Sequence, residues 1–150
     1  MGLRKDLYEI DFYAWCLQQA EFIKNKEFIN LDFENLIEEI ECLGKRERRE
    51  LESRLAVLFM HILKLKFRPD IAIRSFPSWG GTIRCQQNCI KKHMLENTSL
   101  KSKLDEICIN AYEKAKLDAA NEGGIVYEQL PIDMPFTYEQ AVNDEWKPEI

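Results

Sequence analysis

The chain has 150 residues and a mass of 17.7 kDa, one domain's worth, and surface scaling predicts that about 70% of its extended surface is buried on folding. Hydrophobic residues make up 45%, aromatic residues 11% and charged residues 31%, a globular composition that excludes the disordered, collagen-like and mucin-like classes. The net charge of −5 speaks against a chain given over as a whole to nucleic acid, but it is unevenly spread. Residues 1–44 carry −6, residues 45–93 carry +8 and residues 94–150 carry −7, so a basic middle lies between acidic flanks.

Five cysteines, Cys16, Cys42, Cys85, Cys89 and Cys108, are an odd number without a paired framework. They fit free thiols in a reducing compartment, and the expected location is cytoplasmic. Tyr8, Glu9 and Asp11 interrupt any apolar run after Arg4 and Lys5, so no secretory leader is expected, and Asp6 stands where a myristoylation pattern wants Ser or Thr. The longest uncharged apolar run, residues 55–63, is about half of the ~20 residues a bilayer-spanning helix needs.

The periodicity is helical throughout. Asp11 is placed to cap a first helix whose Phe12, Trp15, Gln19, Phe22 and Ile23 share a face. Asp32 reads as the next N-cap, with Leu31 and Leu36 as a hydrophobic staple. Leu36, Ile37, Ile40 and Leu43 are expected to form that helix's buried stripe, and Gly44 to end it in a left-handed conformation, followed by Lys45 and Arg46. Over residues 46–67, Leu51, Leu55, Leu58, Ile62 and Leu65 step by 4, 3, 4 and 3, and every position of 55–63 except His61 is apolar, which predicts a long central helix covered on several sides.

Pro69 is expected to stop that helix, and residues 69–78, with Pro69 and Pro77, to form a loop. A further helix is predicted from Ser78 or Trp79 to about Glu96, with Gly80 and Gly81 weakening its start. Ser99 is expected to cap the next, in which Leu100, Leu104, Ile107, Ala111 and Ala115 recur before Gly123 and Gly124 end it. Small Ala111, Ala115 and Ala119 imply close helix packing. The tail carries Pro131, Pro135 and Pro148, and Thr137 with Gln140 has capping-box spacing for one short helix.

Several strings together resemble a known bacterial family. They are Tyr8-x-x-Asp11-Phe12-Tyr13-x-Trp15, Glu38-Glu39-Ile40-Glu41-x-Leu43-Gly44, Arg54-Leu55, His61-Ile62-Leu63-Lys64, Trp79 with Thr82-Ile83, and Ser99-Leu100. The family is domain of unknown function 29, and the resemblance runs from about Leu7 to Pro148. It implies a helical fold and brings no activity or catalytic residues. The Gly80-Gly81 pair departs from the helix-favouring residues expected there.

The fold class expected is therefore all-α: a single domain over residues 1–150, a bundle of five or six helices around a central long helix. Its core spans about 7–125, and 126–150 form an irregular tail with one short helix. Glu34, Glu38 and Glu41 share a face, but neither His61 nor His93 has the carboxylate three residues before it that bundle metal sites use. Cys85, Cys89 and His93 recur every four residues along one helix, too extended for one tetrahedral ion. The thiols read instead as small packing residues, and no metal or cofactor is expected.

His61, within the apolar run, reads as a structural residue that needs a hydrogen-bond partner. Lys45, Arg46, Arg48, Arg49 and Arg54 interleave with Glu47, Glu50 and Glu52 and largely neutralise one another. Arg68, Arg74, Arg84, Lys91 and Lys92 are less compensated, and with Phe76 and Trp79 among them they form the candidate binding surface. The leading function is a non-enzymatic protein-interaction or regulatory module, its partner another protein or a second copy. Nucleic-acid binding through residues 68–92 is the alternative, and an enzyme acting through His61 or a free cysteine the second alternative.

Overall fold

Asp11 accepts a hydrogen bond from the backbone N–H of Ala14 and so satisfies one of the orphan donors of a helix start. In the computed structural model, which describes residues 3–149 with side chains other than those of 3–6 and Phe76, this cap separates α1 (Leu3–Ile10) from α2 (Phe12–Lys24). Among the described residues 82% are helical and no strand occurs. α3 (Phe33–Phe67), α4 (Pro69–Glu96), α5 (Leu104–Gly123) and α6 (Tyr138–Val142) follow, with 3₁₀ turns at Phe28–Asn30, Thr98–Lys103 and Tyr127–Gln129. The chain divides into two compact units, residues 1–46 and 47–150.

In the first unit the centre is Trp15, 2% exposed. Its indole N–H donates to Asp32 Oδ2 at 3.1 Å, and the Asp32 backbone N–H donates to Gln19 Oε1 at 2.8 Å. Asp32 also caps α3, accepting from the Asn35 backbone N–H. One short polar residue thereby fixes the start of α3 against α2. Tyr8 packs edge-on to Trp15 with ring centroids 4.8 Å apart, and its hydroxyl donates to Glu39.

The helical face expected to be buried here is only partly so. Phe12 and Ile23 are half exposed, as are Ile37, Ile40 and Leu43 of α3. Gly44 does not end a helix: α3 is continuous over 35 residues. A glycine inside a helix costs about 1 kcal/mol relative to alanine, and that is too little to terminate a helix stabilised on both sides.

The second unit is built on residues 51–65 of α3. Leu51, Leu55, Leu58, Ile62 and Leu65 are all buried, as are Ala56, Phe59, Met60 and Leu63 between them, so this stretch is enclosed on several sides as its composition predicts. α5 lays Ile107, Ala111, Ala115 and Ala119, all fully buried, into the same core. Its small residues permit close approach: a Cβ on Gly123 would stand 3.4 Å from Lys64 Cγ. Gly124 terminates α5 at φ 64°, the left-handed region glycine tolerates.

Pro69 does end α3, but it serves as the first residue of α4, where its missing N–H is no loss. The expected loop at 69–78 is helix, and the start assigned to Ser78 or Trp79 lies inside α4. Pro77 is within that helix, where it withdraws the N–H that the Ile73 carbonyl would receive, at a cost of about 3 kcal/mol. Ser99 falls in a 3₁₀ turn that precedes α5 rather than capping it. In the tail, Thr137 and Gln140 form the expected reciprocal capping box, but Leu130, Phe136 and Ala141 are buried in the core, which therefore reaches beyond the expected limit near residue 125. Phe136 sits against Phe59 at 5.3 Å, and Tyr112 Oη donates to the Pro131 carbonyl at 2.7 Å.

Candidate functional site

The seven residues read from sequence as one binding surface have different fates. The Arg68 guanidinium is engaged: Nη1 donates to the Gly123 carbonyl at 2.8 Å, while Nε and Nη2 hold Asp70 bidentately at 3.0 Å each. That pairing lowers the Asp70 pKa and raises that of Arg68. Lys91 stands 4.0 Å from Asp144 and Lys92 3.9 Å from Glu96. Arg74 and Arg84 are exposed, and neither makes an ion pair with the described residues. Trp79 faces inward, edge-on to His61 at 6.3 Å and under Lys64 Nζ at 5.7 Å. The Phe76 side chain lies outside what is described.

His61 Nδ1 lies 2.8 Å from the Val57 carbonyl, so Nδ1 carries the proton and donates. Burial lowers the His61 pKa, the Val57 hydrogen bond opposing it and Lys64 adding to it. Lys64, itself buried, pairs with Glu122 at 3.3 Å. His93 is also buried, with Nε2 2.8 Å from the Glu47 carbonyl. Ligand-capable atoms of Glu47, Glu50 and His93 fall within 4.8 Å of one another, a grouping the sequence reading did not find. His93 Nε2 is occupied by that carbonyl, however, and Glu50 by Arg54.

The thiols do not all pack as small core residues. Cys85 and Cys42 are exposed, Cys16 and Cys89 are half-buried, and only Cys108 is buried. Burial raises the Cys108 pKa to about 12, which keeps it a protonated thiol.

Two surfaces stand out instead. On α3 of the first unit, Phe33, Ile37, Ile40 and Leu43 form a row in which every member is more than half exposed. Exposed Glu34, Glu38 and Glu41 run along one flank of that row, and helical spacing continues the flank to Lys45.

In the second unit, α4 and the tail enclose a cleft of about 560 Å³. Ile62, Leu65, Ile83 and Trp146 give it an apolar floor, Pro77, Gly80 and Gly81 form one wall, and Arg84, Asp144 and Lys147 bring charge to it. Gln87 also lines it and fastens α4 to the tail, its Nε2 donating to the carbonyls of Ala141 at 2.9 Å and Asn143 at 3.4 Å. Gln87 shares one side of its helix with Trp79, Ile83, Ile90 and Met94, whereas nothing in the sequence points to Trp146. A glutamine on an otherwise apolar face was the available signal.

Against known proteins, the family model described as Domain of unknown function DUF29 matches residues 7–147, nearly the whole chain. No curated protein and no solved structure matches significantly. No helix among the described residues is long and apolar enough to cross a membrane.

Proposed function

We propose, for a chain that belongs to the family Domain of unknown function DUF29, a non-enzymatic protein-interaction role in which its first unit pairs with a second copy of itself. The observation that carries this reading is the uncovered row Phe33, Ile37, Ile40 and Leu43. Contiguous exposed apolar surface rimmed by charge is characteristic of interaction sites, and a helical row of this spacing fits a helix-on-helix contact.

The flank favours a second copy as the occupant. Glu34 and Glu38 precede Lys45 on the same line, so an antiparallel pair sets the acidic half of one flank beside the Lys45 end of the other. The contact is then isologous, as two-fold pairing requires.

Sedimentation over a range of concentrations and salt tests the proposal. Wild type is expected to dimerise and Ile40→Glu to be monomeric with unchanged helix content. Lys45→Glu should weaken the dimer and Glu38→Lys/Lys45→Glu should recover it. A wild type that stays monomeric up to about 1 mM, where pairing would be worth no more than ~4 kcal/mol, refutes it.

The nucleic-acid reading keeps one supporting observation, that Arg74 and Arg84 are exposed and make no ion pair among the described residues. Binding of labelled single-stranded DNA that falls steeply with salt and is lost in Arg74→Gln/Arg84→Gln would favour it.

A further inference from the structure

We infer that the cleft between α4 and the tail is a binding site for a small organic anion with an apolar body and a hydroxyl or amide donor. All of the residues concerned belong to the second unit, so the inference is independent of the pairing proposed for the first.

The first observation concerns helix chemistry. Pro77, Gly80 and Gly81, the least helix-compatible residues of α4 beyond its first turn, all line this cleft. Packing does not call for glycine at position 81, where an added Cβ would meet nothing within 4 Å. Local departures from good helix sequence that no internal contact explains are expected where a ligand is accommodated, and backbone without side chains permits close approach.

The second observation is a polar atom in want of a partner. Gln87 is 4% exposed, and both of its hydrogen bonds are made by Nε2. Oε1 has no partner among the described residues. No fully enclosed side-chain nitrogen or oxygen among the described residues lacks one, so Oε1 is not sealed off, and Gln87 is one of the residues that line the cleft. An amide oxygen in that position recognises an O–H or N–H donor.

Charge supplies the third element. Arg84 lies three residues before Gln87 on α4, which makes the two side chains neighbours on the helix. Its guanidinium is uncompensated by a described carboxylate, whereas Asp144 across the cleft faces Lys91. A carboxylate is the group a free guanidinium binds in fork geometry. The apolar floor and Trp146 accept an aryl or alkyl body, and about 560 Å³ is an ordinary volume for a small-molecule site.

Titration calorimetry of the full chain with three matched probes tests this. 4-Hydroxyphenylacetate offers the anion, the ring and the donor; phenylacetate lacks the donor; 4-hydroxyphenethyl alcohol lacks the charge. The expected order is 4-hydroxyphenylacetate tightest, phenylacetate several-fold weaker and the neutral alcohol about tenfold weaker, as loss of a charge-assisted pair implies. Arg84→Gln should bring the acid and the alcohol to equal affinity. Gly81→Leu, which fills the open space, should abolish binding of all three while helix content and melting temperature are maintained or raised. Equal affinities in wild type, no heat from any probe at about 10 mM, where binding would be worth less than ~3 kcal/mol, or binding that survives Gly81→Leu would each overturn the assignment.

Discussion

Replacing Gly44 by alanine tests the continuity of α3 by the sign of its effect. In the structure Gly44 lies inside the helix Phe33–Phe67, and a Cβ built there meets nothing within 4 Å. No steric cost offsets the gain in helix propensity, so Gly44→Ala should stabilise by about 0.8–1 kcal/mol. Were Gly44 instead a left-handed helix terminator, as its position before Lys45 and Arg46 first indicates, the substitution would force an L-residue into that region and destabilise by about 1–2 kcal/mol. The two outcomes differ by roughly 2–3 kcal/mol and point in opposite directions. In urea, with a slope of about 2 kcal/mol/M, the expected gain moves the midpoint up by roughly 0.5 M at unchanged slope. Hydrogen exchange at the amides of 41–48 should slow about five-fold. A lowered midpoint, or faster exchange at those amides, would refute an unbroken helix.

Three further outcomes follow from the second unit. Burial lowers the His61 pKa below its usual 6.5, so the unfolded chain binds a proton that the folded one resists. Stability should be complete above pH 6.5 and decline as pH falls from there toward the lower folded value. His61→Gln should flatten this decline in urea titrations at pH 7.5, 6.5 and 5.5, and parallel curves for the two proteins would refute it. Cys108, with its pKa raised to about 12, should resist a thiol reagent at pH 8 until denaturant is added, while exposed Cys42 and Cys85 react; mass mapping of labelled peptides reads the difference. Thr137→Ala removes half of the capping box of α6 and should cost about 1 kcal/mol in thermal or urea unfolding.

Where local chemistry and packing agree, the fold is readable from sequence. The 4-3-4-3 spacing of Leu51 to Leu65 marks an enclosed helix, the alanines of α5 mark close approach, and Thr137 with Gln140 states its own cap. Pro77 and Gly44 mislead because each is a local penalty of a few kcal/mol at most, set against long helices in which neighbouring turns are already fixed. Ile37, Ile40 and Leu43 mislead for another reason: periodicity reveals that a helix has an apolar face, never what lies against it. The cleft was invisible because its parts, from Ile62 to Trp146, are distant in the chain and become neighbours only when the tail packs across α4. Arg68 shows the same limit, since its Gly123 partner stands 55 residues away.

The tail's place in the core also governs how the chain can be made. Phe136 and Ala141 complete the packing around Phe59 and its neighbours, yet they are synthesised about 70 residues after Leu65. At a ribosomal rate of 5–20 residues per second the apolar 55–63 stretch waits roughly 4–14 s for its last covering pieces. Nascent chains are therefore expected to depend on a holding chaperone over that interval, and products truncated before Phe136 to be cleared by proteolysis rather than to accumulate.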